Sequence, residues 1–149
     1  MNISIEKADV TKDKNLLYEF DMKCFTRDID VRFYSIDEMV MHLQNINAYV
    51  ASVDGKPAGY IGYEYKNDNE IELVVIVVLP EFRRKGVGSS LFAHLLALEG
   101  RKEITLVTHP ENTEAILFYL KHGFFIKGWK DNYFGNGQPR LLLERNGIK

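Results

Sequence analysis

The chain predicts a mixed α/β (α+β) fold, a mostly antiparallel central sheet of about seven strands flanked by about four helices. Three observations carry this expectation. Seven consecutive apolar residues from Leu73 to Leu79, five of them β-branched, read as a strand buried on both faces near mid-sheet. Asp54-Gly55, set between two alternating segments, is a strong hairpin signal. Strand-like and helix-like segments follow in the order βααββ–βαβαββ, which leaves one parallel crossover at the central strand.

Taken in order, Ile3, Ile5 and Ala8 alternate with polar residues as a first strand. Thr11 is placed to cap a helix running to about Phe25, with Leu16, Leu17, Phe20 and Cys24 at core spacing. Cys24 on that face reads as a small buried hydrophobe rather than a nucleophile. Residues 26–34 have mixed charge and no period, so they read as a loop. Ser35 with Glu38 forms a capping box for a second helix, whose inner face is Met39, Val40, Leu43 and Ile46. His42 has no partner at metal-ligand spacing and reads as a surface residue. Tyr49–Val53 and Ala58–Tyr65 are the two strands of the Asp54-Gly55 hairpin. Lys66–Asn69 turns the chain into the central strand from Glu70.

Pro80 ends that strand, because proline cannot donate to a ladder. A helix follows from Gly86 to the cap at Gly100, with Val87, Leu91, Leu95 and Leu98 as its apolar stripe. Glu103–His109 alternates as a strand. Pro110 and Asn112 introduce a helix from Thr113 to about Lys121, and Gly123 supplies its left-handed cap. A strand to Trp129 and a last one over Leu141–Glu144 complete the sheet.

Size and charge narrow the function classes. At 149 residues the chain reads as one domain, 1–149. A net charge of −2 argues against a nucleic-acid backbone as partner. The single cysteine excludes an internal disulfide and a Cys-based zinc site, and no metal is implied. The first residues lack the basic and apolar regions of a signal peptide. The longest apolar run is too short to span a bilayer. A cytoplasmic enzyme-sized domain, with no membrane partner, is the expectation.

The chemistry concentrates after Leu79. Strand, basic Gly-rich turn and helix start together make an anion cradle, where unpaired N–H groups and the positive end of the helix dipole favour phosphate. Neither common nucleotide pattern fits. No lysine follows Gly86 or Gly88 as a P-loop requires, and Leu91 occupies the third glycine position of a dinucleotide fingerprint. What remains is Arg83-x-x-Gly86-x-Gly88 directly after a strand ending in V-x-P. That spacing resembles the acyl-CoA pyrophosphate loop of the GCN5-related N-acetyltransferases. Further on, Asn112-x-x-Ala115-x-x-Phe118-Tyr119-x-x-x-Gly123-Phe124 resembles the same family's second cofactor-side motif. Together the two motifs span about a third of the chain, Glu72 to Phe124.

The resemblance implies acetyl transfer from acetyl-CoA, as cosubstrate, to a small-molecule or peptide amine. Backbone N–H groups of Arg84, Lys85, Gly86, Val87, Gly88 and Ser89, with Ser90 beside them, would hold the pyrophosphate. The side chains of Arg83, Arg84 and Lys85 would add screened attraction. Backbone groups near Val77 and Val78 would pair with the pantetheine arm, one N–H serving as oxyanion donor. Asn112 and Phe118 would lie along the cofactor. Tyr119 matches the thiolate-protonating tyrosine. Glu72 sits where many members carry a base, and Glu70, on the same strand face, is the alternative. The loops Thr26–Tyr34 and Lys130–Gln138 would form the acceptor cleft, with Tyr133 and Phe134 on the rim. Family members are often dimers, so a homodimer is compatible with the resemblance. A non-catalytic acyl-CoA sensor or scaffold is the competing reading, though it has no use for a proton donor at the sulfur.

Overall fold

The computed structural model describes residues 1–148. Seven strands hydrogen-bond in the order β1-β2-β3-β4-β5-β7-β6. They are β1 (Ile3–Ala8), β2 (Asn47–Val53), β3 (Lys56–Asn67), β4 (Glu70–Val78), β5 (Glu103–Thr108), β6 (Phe125–Lys130) and β7 (Arg140–Arg145). Four α-helices intervene: α1 (Lys14–Cys24), α2 (Ile36–Leu43), α3 (Val87–Glu99) and α4 (Thr113–Lys121). β4 pairs with β5 in parallel, whereas β1–β2, β2–β3, β5–β7 and β6–β7 are antiparallel. The sequence order of elements is therefore the observed one. No helix among the described residues is long and apolar enough to cross a membrane.

The contacts group into two compact units, Met1–Glu64 with Leu73–Glu99, and Tyr65–Glu72 with Gly100–Lys149. In the first, β2 and β3 meet at Asp54-Gly55, where both residues have positive φ (49° and 84°). That is the type I′ geometry whose twist suits a two-residue hairpin. The core holds Val10, Leu17, Phe20, Met39, Leu43, Tyr60, Val77 and Leu79. Gly59 lets β3 lie close to the end of β4: a Cβ there would drive into the Val77 carbonyl oxygen and stand 3.0 Å from Val78 Cα. The Leu79 N–H closes this approach by donating to the Ala58 carbonyl at 2.8 Å.

Several local expectations change. β4 is not buried on both faces. Ile71, Leu73 and Val77 are buried, but Val74 is 38% exposed and Ile76 and Val78 are half-buried. The even-numbered face is thus only partly covered, which periodicity cannot reveal in an all-apolar run. Thr11 does not cap α1. Asp9 Oδ1 accepts from the Thr11 and Lys12 N–H groups, the Asp9 N–H donates to Asp13 Oδ2, and the helix starts three residues later. A carboxylate organising its own turn outcompetes the threonine. Ser35 does accept from the Glu38 N–H at 3.1 Å, but Glu38 reaches back to the Tyr34 N–H. In α3, Val87, Leu91 and Leu95 are buried as expected, whereas Leu98 is half exposed and Phe92 takes its place.

The second unit packs Ile71, Ile104, Leu106, Phe124 and Leu143 at its centre. Its parallel β4–β5 pairing runs only from Glu70–Glu103 to Glu72–Thr105. β5 stops at Thr108, one residue short of the expected His109. Gly123 has φ +92° and closes α4. Arg145 Nε then donates to the His122 carbonyl at 3.0 Å, a cation at the helix C-terminus.

Candidate active site

In the first unit the chain leaves β4 through a short 3-10 turn, Pro80–Phe82, and enters α3 at Val87. Ser90 N–H to the Gly86 carbonyl, at 3.0 Å, is the first hydrogen bond of the helix. The preceding amides, through Ser89, therefore lie outside its repeating pattern. Arg84 (φ 61°) and Gly86 (φ +84°) both adopt left-handed backbone, and a Cβ at Gly86 would meet nothing within 4 Å. Left-handed residues this close together, just before a helix, wind the backbone in the way that anion-binding turns do.

Arg83 is also engaged with its own strand. Its Nε turns back and donates to the Val78 carbonyl at 3.0 Å, and Cys24 Sγ donates to the same oxygen at 3.6 Å. Arg83 is thus a bracket between the loop and the end of β4. The Val78 carbonyl is thereby taken. Burial pushes the Cys24 thiol up, against the lowering effect of Arg83. The thiol form is favoured, consistent with a packing role.

Behind this strand lies a group that sequence reasoning missed. Asp21 on α1 is 5% exposed, and the Tyr60 hydroxyl donates to its Oδ1 at 2.7 Å, while Oδ2 has no hydrogen-bond partner. Burial pushes the carboxyl up to about 6 despite the tyrosine. The same burial, with Asp21 beside it, raises the Tyr60 phenol. A signal existed: Asp21 lies four residues after Leu17 and one after Phe20, on the apolar stripe itself.

The remaining predicted residues lie in the second unit. Tyr119 is half-buried on α4, with the Phe118 and Phe124 rings edge-on at 5.7 and 5.6 Å. Burial pushes its phenol up to about 12. Glu72 Oε1 pairs with Lys66 Nζ at 2.8 Å, and Glu70 Oε2 accepts from the Thr105 hydroxyl at 3.3 Å. The two carboxylates between which the sequence left the base open are thus both engaged. Asn112 sits at the start of α4 without capping it, and its Nδ2 donates to Thr108 Oγ1 at 3.3 Å. That bond orients the carboxamide, leaving its oxygen as the acceptor it can present.

Strand, amide-lined turn, α3 and a phenol on α4 recur in one known family. The family model described as Acetyltransferase (GNAT) family matches residues 14–124. The chain belongs to the GNAT acetyltransferase family. Among its relatives, an N-alpha-acetyltransferase of Sulfurisphaera tokodaii is 30% identical, covering 70% of this chain and 72% of that protein. An uncharacterized N-acetyltransferase of Methanocaldococcus jannaschii is 32% identical over 54% of this chain, and the match spans 42% of that protein's length. The crystal structure of Ard1 from Thermoplasma volcanium superimposes with a TM-score of 0.84 at 24% identity, covering all of both chains. The GNAT fold thus holds for this chain, and the names of its relatives support an acetyltransferase.

Proposed function

We propose that residues 1–149 work as one domain that acetylates a primary amine, on a peptide N-terminus, a lysine or a small molecule, by direct attack on acetyl-CoA in a ternary complex. The observation that carries the reading is the turn from β4 to α3, with left-handed Arg84 and Gly86 and open space above the glycine. Support for a peptide α-amine as the first acceptor to test comes from the relative named an N-alpha-acetyltransferase.

In this reading the amides of Arg84 to Ser89 hold the pyrophosphate, and α3 lends its positive end. The partly covered face and edge of β4 near Val77 and Val78 receive the pantetheine as an added strand. The Val78 N–H, rather than its carbonyl, supplies the oxyanion donor. Glu72 or Glu70 takes the ammonium proton through water. Glu72 can do so because an exposed Lys66 partner is held by roughly 1 kcal/mol or less. The amine nitrogen then bonds to the thioester carbon, the C–S bond breaks, and the thiolate leaves toward Tyr119.

The raised phenol bears on that last step. With burial pushing the Tyr119 phenol up to about 12, the residue holds its proton tightly, and complete transfer to the thiolate is disfavoured. Tyr119 therefore stabilises the thiolate with a hydrogen bond, and the proton that finally reaches sulfur is the one the attacking nitrogen sheds as it becomes the neutral amide.

The engagement of both glutamates favours one further reading, a binding module that holds acyl-CoA without turning it over. Incubating the protein with acetyl-CoA and a panel of peptides, polyamines and aminoglycosides, and following free-thiol release, separates the two. Amine-dependent thiol release supports the transferase. Acetyl-CoA binding by calorimetry with no release for any amine supports the module, and no binding at all removes both.

A further inference from the structure

The β5–β7 ladder ends at the Thr108–Leu141 pair. The next residue, His109, is 6% exposed, and both of its ring nitrogens are engaged. The Glu111 main-chain N–H donates to Nδ1 at 3.0 Å. An acceptor at Nδ1 fixes the proton on Nε2, which then donates to Gln138 Oε1 at 2.9 Å. Where main-chain pairing stops, one imidazole in a defined tautomer carries the connection onward.

Gln138 lies two residues before β7, near the end of the loop that follows β6. The loop closes on itself: Gln138 accepts from the Tyr133 N–H at 3.2 Å, and the Gln138 N–H donates to Asn136 Oδ1 at 3.0 Å. Asn132 accepts from the Gly135 N–H through its carbonyl and from the Gly137 N–H through Oδ1. Positive φ at Asn132, Gly135 and Gly137 makes this winding possible. On the loop, Tyr133 and Phe134 meet edge to face at 4.7 Å. Such a unit keeps its internal shape, so its placement depends on how it is attached.

We propose that His109 is a positioning residue of the acceptor-binding loop, beside Lys130 and Arg140, whose cations lie 5.5 and 5.1 Å from the Tyr133 and Phe134 ring centres. Through Gln138 it fixes the Tyr133–Phe134 edge, against which the amine-bearing substrate packs. This rests on the transferase reading above and deepens it by naming what sets acceptor affinity. A histidine satisfied only by its neighbours in a core would not have a loop carboxamide as the partner of its one N–H. Glu111 places a carboxylate oxygen 3.8 Å from Nδ1, but that side chain is 74% exposed and adds little to the tether.

Three variants of the full chain test the proposal: His109→Asn, Gln138→Leu and Gln138→Glu. His109→Asn and Gln138→Leu should raise the acceptor KM about tenfold, the scale of one lost hydrogen bond. In both, kcat should stay within about threefold and acetyl-CoA affinity should not change. Gln138→Glu still presents an oxygen to Nε2–H and should recover most of the affinity that Gln138→Leu loses. Amide exchange over residues 133–138 should quicken in the first two variants and not in the third. Unchanged exchange in His109→Asn overturns the tether whether or not the protein is active. Quickened exchange with an unchanged acceptor KM overturns the loop's role in affinity. If the wild-type protein acetylates no amine, the transferase reading fails instead, and exchange still decides the tether.

Discussion

Tyr119 gains its meaning from where α4 holds it. Its neighbours are the rings of Phe118 and Phe124, and burial alone lifts its phenol to about 12. In the proposed role of hydrogen-bond donor to a departing thiolate, it would act only after the C–S bond begins to open. Tyr119→Phe should lower kcat by roughly one to three orders of magnitude. Acetyl-CoA affinity by calorimetry should stay near the wild-type value, and full turnover would show the role to be misassigned. The glutamates call for a different readout. The acid limb of kcat/KM follows ionisation of the base, so the variant of Glu72→Gln and Glu70→Gln that loses that limb identifies it. Wild-type profiles in both would exclude both. Asp21 makes a prediction about stability. Its folded value near about 6 lies above its ordinary 3.8, so the folded state binds the proton more tightly than the unfolded chain. The stabilisation is full below about pH 4 and falls as pH rises through 6, by about 3 kcal/mol in total. Asp21→Asn should flatten that slope in denaturation series between about pH 4 and 7. A wild-type slope in the variant would trace it to other groups.

At the scale of elements, local rules and long-range packing divide the outcome. The type I′ hairpin at Asp54-Gly55, the Ser35 cap and the Gly123 terminus were legible because each is set within four residues. The strand-turn-helix proposed to hold the pyrophosphate was legible for the same reason. The direction of the Arg83 side chain was not, because the Val78 carbonyl that draws it back becomes available only once β4 has ended and α1 is packed. The partly covered face of β4 was hidden too, since an unbroken apolar run gives no clue to which side is covered. Gly59 belongs with these. Within β3 it reads as an ordinary weak spot, yet it permits the approach to Val77 and Val78. Gly59→Ala should cost about 1–3 kcal/mol through backbone displacement, and the displaced residues are those proposed to receive the pantetheine. Weaker acetyl-CoA binding should accompany the loss of stability. Unchanged affinity in a folded variant would separate Val77 and Val78 from the cofactor.

For the whole molecule, the order of seven strands and four helices followed from alternation, turn signals and the single βαβ step. What composition could not convey was how the chain distributes itself. Residues 65–72 group with 100–149, and residues 73–99 return to the first unit. Each unit is therefore assembled from two separated stretches, and the three β4 residues that pair with β5 come from the shorter one.

That arrangement makes the polypeptide resistant to being dissected. A cut at the Glu99–Gly100 boundary would strip Ile71 from the packing around Ile104 and leave β5 with a bare edge. A peptide of residues 100–149 made alone should show no cooperative melting by circular dichroism. Mixing it with residues 1–99 should restore a transition, as two complementary pieces of one interlaced thread. A sharp melt from the lone peptide would mean that the early segment Tyr65–Glu72 is dispensable to its later companions.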